Sequence, residues 1–488
     1  MATAAGPAGR YLIGTVLALV TNSLLRPVED ASPARYVGLE SLRAFGRERL
    51  EEAGEAETTS GAHAAYFLDL AREAAPHLNG AEQGTWLDRL QTDHDNLRAG
   101  LDWALVAGAG ETALEMVGTL WRFWSARGLL SEGRRWVEET IRRFDSEGGT
   151  GGSTRLPIAA GTLARAHGDY PAAETWFATA LELARVGGDR GAEAAALNNL
   201  GGVALSQGDH RRAADLFGQS LEACRALGDR WREAAALSNL GAVAHYLGEI
   251  DKAEVSYEAA LAIWEERGDR RRAALLMCNL VLLLAPLPER RDKARKMGER
   301  CLAESRALHF PSGIAAALTG LGLIAEGEGD LAKAAKCHEE SAAVCRESED
   351  RSGLARALGN LSLIIADLGD HRRAAALASE SLQRFLALGD EEGVATSLEM
   401  LASVARASGE PRLATRLHGA AASRWAELAM PIPLALTHRH DSSTAALRVT
   451  LGTADLEADW ELGKSLNVDD AVREADRLAS AAAATSAG

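Results

Sequence analysis

Two neighbouring stretches of the chain have nearly the same sequence: residues 194–209 read AAALNNLGGVALSQGD and residues 234–249 read AAALSNLGAVAHYLGE. In the first stretch, small and apolar residues are spaced i, i+3, i+4 and i+7, namely Leu197, Leu200, Gly201 and Ala204. This spacing lines one face of an α-helix. The closing Gly-Asp pair is typical of a helix end followed by a new helix, because glycine adopts the left-handed conformation and Asp caps helix N-termini.

The Gly-acidic pair recurs along the chain and divides it into units. One series comprises Gly168-Asp169, Gly208-Asp209, Gly248-Glu249, Gly329-Asp330, Gly369-Asp370 and Gly409-Glu410. A second series lies midway between them and comprises Gly188-Asp189, Gly228-Asp229, Gly268-Asp269 and Gly389-Asp390. Most pairs within a series are about 40 residues apart, and the wider gap holds a degenerate unit around residues 286–290. Each unit is therefore predicted to be two helices joined by short turns.

These units predict an all-α solenoid. A helix pair with apolar faces on both members cannot bury them alone, so neighbouring pairs stack. Close approach of the two helices in a pair is predicted from small residues on the first helix (Gly201, Gly241, Gly322, Ser362) and on the second (Ala213, Ala253, Ala334, Ala374).

The order L-x-x-L-G-x-x-A, then Gly-Asp, then A-x-x-x-[FY] resembles the tetratricopeptide repeat in a roughly 40-residue form, over residues 155–425. The resemblance implies a right-handed superhelical solenoid. It also implies a binding role, since such repeats bind protein segments or ligands on the concave wall formed by their first helices. We therefore expect a protein or peptide partner, or a small effector, in the superhelical groove.

The candidate partner-binding residues lie on first helices. A column of carboxamides away from the core stripe could hydrogen-bond an extended peptide, and consists of Asn199, Asn239, Asn279 and Asn360. Arginines at helix starts could pair with acidic groups of a partner. The candidates are Arg230, Arg232 and Arg271. The alternatives are that the Asn side chains only bridge adjacent helices and that the arginines form local surface ion pairs.

Composition restricts the partner class. The 488 residues carry 53 Lys plus Arg against 69 Asp plus Glu, a formal charge of −16, which argues against binding to nucleic-acid phosphates by this chain alone. The five cysteines form no C-x-x-C pair, which favours a reducing cytoplasm. The apolar run at residues 11–25 is too short to span a bilayer, so no membrane partner is expected.

Residues 61–150 form a different, tryptophan-rich helical segment that contains Trp86, Trp103, Trp121, Trp124 and Trp136. The run DHDNLR at residues 93–98 and the string WRFWSARGLLSEGRRW at residues 121–136 resemble the linker between the ATPase part and the repeats of large bacterial signal-transduction ATPases, including LuxR-type transcriptional regulators. In that context His94 is interpreted as a packing or capping residue.

The resemblance extends to both ends of the chain. Residues 1–60 read as helix, strand, polar turn, strand and helix, which resembles the end of a winged helix, so a winged-helix remnant that does not read DNA is expected there. The repeat solenoid is then assigned to residues 151–427. Residues 428–488 resemble the C-terminal helical cap of the same regulators, with a disordered tail.

The sequence contains three short strings that partly resemble catalytic or metal-binding motifs. Gly463-Lys464-Ser465 lacks the first glycine of a phosphate loop, and the string around it favours helix, break, helix. His438, His440 and Asp441 form H-x-H-D without a second ligand cluster nearby in sequence, and the adjacent Cys337 and His338 cannot act as a nucleophile and base pair locally. We therefore expect no enzyme, no cofactor and no metal.

The leading hypothesis is a non-catalytic, cytoplasmic protein-binding or effector-sensing scaffold in bacterial signalling or transcriptional regulation. The first alternative is the sensor half of a split or truncated ATP-dependent transcriptional regulator. The second is an enzyme whose site assembles from distant segments of the linker or cap.

Overall fold

The computed structural model describes residues 7–28, 35–79, 82–144, 153–428 and 430–484, in which 24 α-helices and one two-stranded sheet are found. The chain divides into two compact units, Met1–Asn199 and Leu200–Gly488. None of the described helices is long and apolar enough to cross a bilayer. The all-α prediction is confirmed.

The first unit begins with a small α/β segment. A helix, two antiparallel strands paired from Leu25↔Gly38 to Pro27↔Tyr36, and a second helix follow one another: α1 (Pro7–Thr21), β1 (Leu25–Pro27), β2 (Tyr36–Gly38) and α2 (Glu40–Glu52). This is the element order that the sequence predicts, although the turn at residues 29–34 lies outside the described residues. Its assignment as a winged-helix remnant stays a prediction.

The rest of the first unit is helical: α3 (Ala56–Ala74), α4 (Gln83–Thr92), α5 (His94–Val106), α6 (Gly110–Ala126), α7 (Leu130–Phe144), α8 (Arg155–Ala166) and α9 (Tyr170–Val186). The aromatic residues enter its core, where Phe123, Trp124 and Trp136 are buried. His94 is also buried, and its Nε2 lies 3.0 Å from Glu132 Oε1. This contact agrees with a packing role for His94.

Helix α10 (Arg190–Ser206) contains the boundary between the units, and ten regular helices of the repeat region follow it. They are α11 (His210–Leu227), α12 (Arg230–Tyr246), α13 (Ile250–Glu266), α14 (Arg270–Leu284), α15 (Arg291–Ala307), α16 (Pro311–Gly327), α17 (Leu331–Glu347), α18 (Arg351–Asp367), α19 (His371–Leu388) and α20 (Glu391–Ala407). Helix α21 (Pro411–Glu427) completes the last pair. In the degenerate unit, a 3-10 turn, Pro288–Arg290, connects α14 and α15 in place of a Gly-acidic pair.

Helix ends in the repeats follow the predicted chemistry. Gly228 has a φ of 68°, and the carboxylate of Asp229 accepts a hydrogen bond from the backbone N–H of Arg232 at 3.0 Å. The same Asp cap is found at Asp209, Asp269, Asp330, Asp350, Asp370 and Asp390. Capping of this kind satisfies backbone donors that the first helical turn leaves unpaired.

The small residues act as predicted. A Cβ atom at Gly201 would lie 2.7 Å from the Phe217 ring, and one at Gly241 would lie 2.6 Å from the Tyr257 ring. These distances are shorter than van der Waals contact, so the ring of the second helix packs directly on the backbone of the first.

Three further helices follow the repeats: α22 (Leu434–Leu451), α23 (Thr453–Lys464) and α24 (Val468–Ala484). Their apolar residues Leu436, Leu447, Leu456 and Leu478 join the core of the last repeats. Gly463 lies in the last turn of α23, and a Cβ there would lie 2.1 Å from the Arg416 carbonyl oxygen of α21. The Gly-Lys-Ser string is therefore a helix end before a break and a further helix, as the sequence predicts, and it packs on a neighbouring helix.

Candidate ligand-binding cavity

A cavity of about 660 Å³ lies in the second unit, beside the C-terminal ends of the first helices α14, α16, α18 and α20. Helix α22 forms the opposite wall. The volume lies within the range of about 300–1,000 Å³ that is common for small-molecule sites. The repeats and the C-terminal helices build this cavity together.

Proline directs α22 to this position. The segment after α21 contains Pro431 and Pro433, and Pro433 precedes the first residue of α22 with an extended ψ of 136°. Proline cannot continue a helix because it lacks the N–H and its ring clashes with the preceding turn. The chain therefore ends α21 and begins a new helix in another direction.

The lining is both apolar and charged. Its apolar part includes Ala285, Leu323, Leu331, Leu363, Ala366 and Leu434. Its charged and titratable part comprises Arg291, Glu326, Asp367, Arg406, His438 and Arg439. Three arginines and two carboxylates leave an excess positive charge on the wall, which suits a ligand that carries both an apolar group and an anionic group.

Arg439 of α22 joins two first helices across the cavity. Its Nε donates to Glu326 Oε1 of α16 at 2.7 Å, and its Nη2 donates to Asp367 Oδ2 of α18 at 2.6 Å. The Arg439 side chain is 19% exposed. Burial lowers the pKa of Arg439, but the hydrogen bonds and the charges of the two carboxylates outweigh it, so the net shift is upward and the guanidinium stays charged.

Arg291 lies at the other side of the cavity, at the start of α15. Its Nε is buried without a hydrogen-bond partner among the described residues. The guanidinium passes close to Gly327, where a Cβ would lie 2.7 Å away. A buried donor of this kind is normally satisfied by water or a ligand. Arg291 is therefore available to an anionic group in the cavity.

The predicted Asn residues have different environments and do not line this cavity. Asn239 on α12 is half-buried and has a polar interaction, Asn279 on α14 is exposed, and Asn360 on α18 is buried at 8% exposure. Asn199 on α10 is half-buried in the first unit. A role of these carboxamides in partner binding stays a prediction.

The predicted arginines interact within the chain. Arg230 donates to Glu233 at 2.8 Å and to Glu266 at 3.1 Å, and Arg232 pairs with the capping Asp229. The Arg271 guanidinium lies 4.5 Å from the centre of the Phe310 ring. Local ion pairs, the alternative that the sequence left open, are thus present for Arg230 and Arg232. Contact of the three arginines with a partner stays a prediction.

The H-x-H-D string is divided between two environments. His438 lines the cavity, Asp441 is exposed, and His440 faces inward, with its Nδ1 at 2.8 Å from Glu399 Oε1. Sequence reasoning missed the cavity because Arg439 meets Glu326 and Asp367 across 113 and 72 residues. The signal for this site in the sequence was Arg439 between His438 and His440, but the sequence does not indicate which residues Arg439 contacts.

The family model described as tetratricopeptide repeat matches residues 156–226, 232–306 and 313–387. The matched segments are tetratricopeptide repeats. This match covers most of α8 to α19, so it includes the cavity-lining first helices α14, α16 and α18, whereas α20 lies beyond it.

Two curated relatives carry the assignment HTH-type transcriptional regulator, one from Mycobacterium tuberculosis and one from Mycobacterium bovis. Each is 30% identical to this chain over 199 residues, which cover 38% of this chain and 21% of the relative. The matched part is therefore about a fifth of the length of those proteins.

A solved structure with a similar fold is that of a Signal Transduction ATPase with Numerous Domains protein with a tetratricopeptide repeat sensor, from Pyrococcus horikoshii. The TM-score is 0.52 at 13% identity, covering 91% of this chain and 60% of the other. At this identity the likeness concerns the fold, which includes tetratricopeptide repeats in both proteins.

Proposed function

We propose that this chain is a non-catalytic sensor module, in which the tetratricopeptide repeats and α22 together bind a peptide end or a small effector. The observation that carries the proposal is the cavity in whose wall Arg439 pairs with Glu326 and Asp367. Its apolar wall and its excess of arginines suit a ligand with an apolar group and a carboxylate or another anion.

The cavity also offers a way to transmit binding. A ligand anion that attracts Arg291 or Arg406 would change the electrostatic environment of the Arg439 ion pairs, and α22 would move relative to α16 and α18. Such a movement requires the ligand to bind one arrangement of these helices better than the other. Sensing by displacement of the C-terminal helices is the mechanism that we propose.

The biological setting is proposed to be bacterial signalling or transcriptional regulation in the cytoplasm. The partial match to mycobacterial regulators and the fold shared with a repeat-containing ATPase sensor support this setting. An ATPase or DNA-binding half supplied by another chain is the corresponding second candidate. Inspection of neighbouring reading frames tests that candidate, which fails if none encodes a nucleotide-binding domain.

Ligand binding in the cavity is tested by blocking it. Ala435 on α22 is exposed and lines the cavity, so Ala435→Trp would fill the space with an indole. Val449 on the same helix is 87% exposed and does not line the cavity, which makes Val449→Trp the matched control. The full chain is purified from its native host, and native mass spectrometry detects small molecules or peptides that remain bound.

We expect a bound species in the wild type and in Val449→Trp and its loss in Ala435→Trp. Equal retention in all three proteins would place the ligand elsewhere. Absence of any bound species from the wild type, including after incubation with a host extract, would refute effector sensing.

A further inference from the structure

A buried carboxylate lies between two histidines near the end of the repeats. Glu399 of α20 accepts one hydrogen bond on each oxygen: His418 Nδ1 of α21 lies 2.6 Å from Oε2, and His440 Nδ1 of α22 lies 2.8 Å from Oε1. The three residues come from three helices. Their cluster is separate from the cavity lined by Arg439.

The burial of this cluster is nearly complete. The side chains of Glu399, His418 and His440 are 3%, 0% and 16% exposed. The hydrogen-bond and ion-pair partners of Glu399 in the described part of the chain are these two imidazoles. Because burial of an uncompensated carboxylate is costly, Glu399 depends on what the two imidazoles supply, which is either their N–H groups or a metal ion bound by both rings.

The ligand set is the one that a transition metal uses. One carboxylate oxygen and two imidazole nitrogens lie within 4.8 Å of one another, and this is the one such convergence of three His, Cys, Asp or Glu ligands among the described residues. Two histidines and one glutamate are a known donor set for zinc, with a further position taken by water. Calcium and magnesium are disfavoured because they prefer oxygen ligands.

The surroundings also match those of a metal site. His418 Nε2 lies 2.9 Å from Ser443 Oγ, and the His418 ring stacks on Trp460 with a centroid distance of 6.2 Å and an interplanar angle of 16°. Partners of the second ring nitrogen orient a metal-ligating histidine. Ser443 and Trp460 thus hold the ring of His418 in one orientation.

An access route is present beside the cluster. A second cavity of about 310 Å³ is lined by His440, Trp460, Thr444, Arg448 and Glu457. It reaches the cluster at His440, the most exposed of the three side chains. The cavity provides an entry path for an ion and space for the water that would complete its coordination.

We propose that Glu399, His418 and His440 bind one Zn²⁺ ion, with solvent from the adjacent cavity as the remaining ligand. Each histidine binds the ion through Nδ1 as the neutral Nε2–H tautomer, and the second proton of any imidazolium passes to solvent. The Nε2–H of His418 then donates to Ser443 Oγ. Zinc would tie the last repeat pair, α20 and α21, to α22. None of the three proposed ligands lines the larger cavity.

The test uses the full chain, stripped with a chelator and titrated with ZnCl₂ alone. Isothermal titration calorimetry gives the affinity, and elemental analysis after desalting gives the stoichiometry. The variants are Glu399→Gln and His440→Gln. His438→Gln is the matched control, because His438 lies two residues before His440 on α22 and outside the cluster.

We expect one Zn²⁺ per chain in the wild type and in His438→Gln. Loss of a direct ligand should weaken binding by at least about 100-fold, since loss of a supporting partner alone costs about 10–100-fold. Co²⁺ in place of Zn²⁺ should show visible absorption bands without a thiolate charge-transfer band, which separates this site from the buried Cys278 and Cys301 pair.

Zinc that is not retained by the wild type, equal retention in His440→Gln, or a thiolate band would each overturn the proposal. Circular dichroism checks that each variant is folded. Because His440 is the most exposed member, His440→Gln decides the outcome if Glu399→Gln does not fold.

Discussion

The guanidinium of Arg439 lies 2.6 Å from the carboxylate of Asp367, although 72 residues separate them in sequence. The same guanidinium also binds Glu326 at 2.7 Å. Arg439→Ala removes the cation and leaves two partly buried carboxylates on neighbouring helices. Because loss of one member of a buried ion pair typically costs about 3–5 kcal/mol, we expect the free energy of unfolding to fall by about 3 kcal/mol, measured by urea denaturation.

Arg448→Ala is the control for that measurement. Arg448 is an exposed arginine on the same helix, so its removal should change the stability by less than about 0.5 kcal/mol. Similar losses in the two variants would mean that the Arg439 ion pairs do not hold α22 in place.

The burial of His338 leads us to expect that the free energy of unfolding depends on pH. It is fully buried, neither ring nitrogen has a hydrogen-bond partner among the described residues, and burial lowers its pKa to about 4. Between this pKa and the ordinary value of about 6.5, the unfolded chain binds a proton that the folded chain does not. The stabilisation is therefore complete above about pH 6.5 and is lost as the pH falls toward 4, by about 3 kcal/mol.

His338→Phe tests this pH dependence. The His338 ring packs on Gly322, and other repeats have an aromatic ring in the same place, namely Phe217 on Gly201 and Tyr257 on Gly241. The variant keeps a ring in that position and removes the titrating group. Urea midpoints between pH 4 and 7 should vary less steeply in the variant than in the wild type. Parallel profiles would contradict the assignment to His338.

Two adjacent glycines on α10 should respond oppositely to alanine. A Cβ at Gly201 would lie 2.7 Å from the Phe217 ring, whereas a Cβ at Gly202 would have no atom within 4 Å. Gly201→Ala should destabilise the chain by about 1–3 kcal/mol through overpacking. Gly202→Ala should stabilise it by up to about 1 kcal/mol, because alanine has the higher helix propensity. The melting temperatures of the two variants check both expectations. Changes in melting temperature of the same sign would refute the packing argument.

The carboxamide column can be tested at its two more accessible members in the second unit. Asn239→Ala combined with Asn279→Ala should weaken capture of a partner protein from a host lysate without changing the melting temperature. Lys252→Ala is the control, since Lys252 is exposed on α13, the second helix of that pair. Unchanged capture by the Asn double variant would leave these side chains with a scaffold role.

The sequence pattern was sufficient to predict the helices of the repeats. Leu197 and Leu200 follow the helical period, and Gly228 and Asp229 end one helix and cap the next as predicted. Each of these features depends on residues within about one or two helical turns, so a single stretch contains the whole signal. The repeat period then predicts that each helix pair packs on the neighbouring pairs.

The candidate sites could not be predicted in the same way. The H-x-H-D string suggested no metal site because its neighbours in sequence offer no further ligands, whereas Glu399 and His418 reach His440 from two other helices. The predicted Asn column shares a repeat position, but its members differ in burial because their neighbours differ between repeats. Asn360, for example, is buried, and the periodicity of the sequence does not distinguish it from the more exposed members of the column.

The sequence by itself therefore determined the helices, their caps and the stacking of tetratricopeptide pairs, because these depend on local chemistry that recurs every 40 residues. Only the tertiary structure decided that Arg439 meets Glu326 and Asp367 and that His440 meets Glu399 and His418. These contacts join residues 22 to 113 positions apart, and they exist because α22 lies against the ends of the repeat helices. Helical periodicity shows which face of α22 is apolar, but it does not show which side chains of distant helices that face will meet.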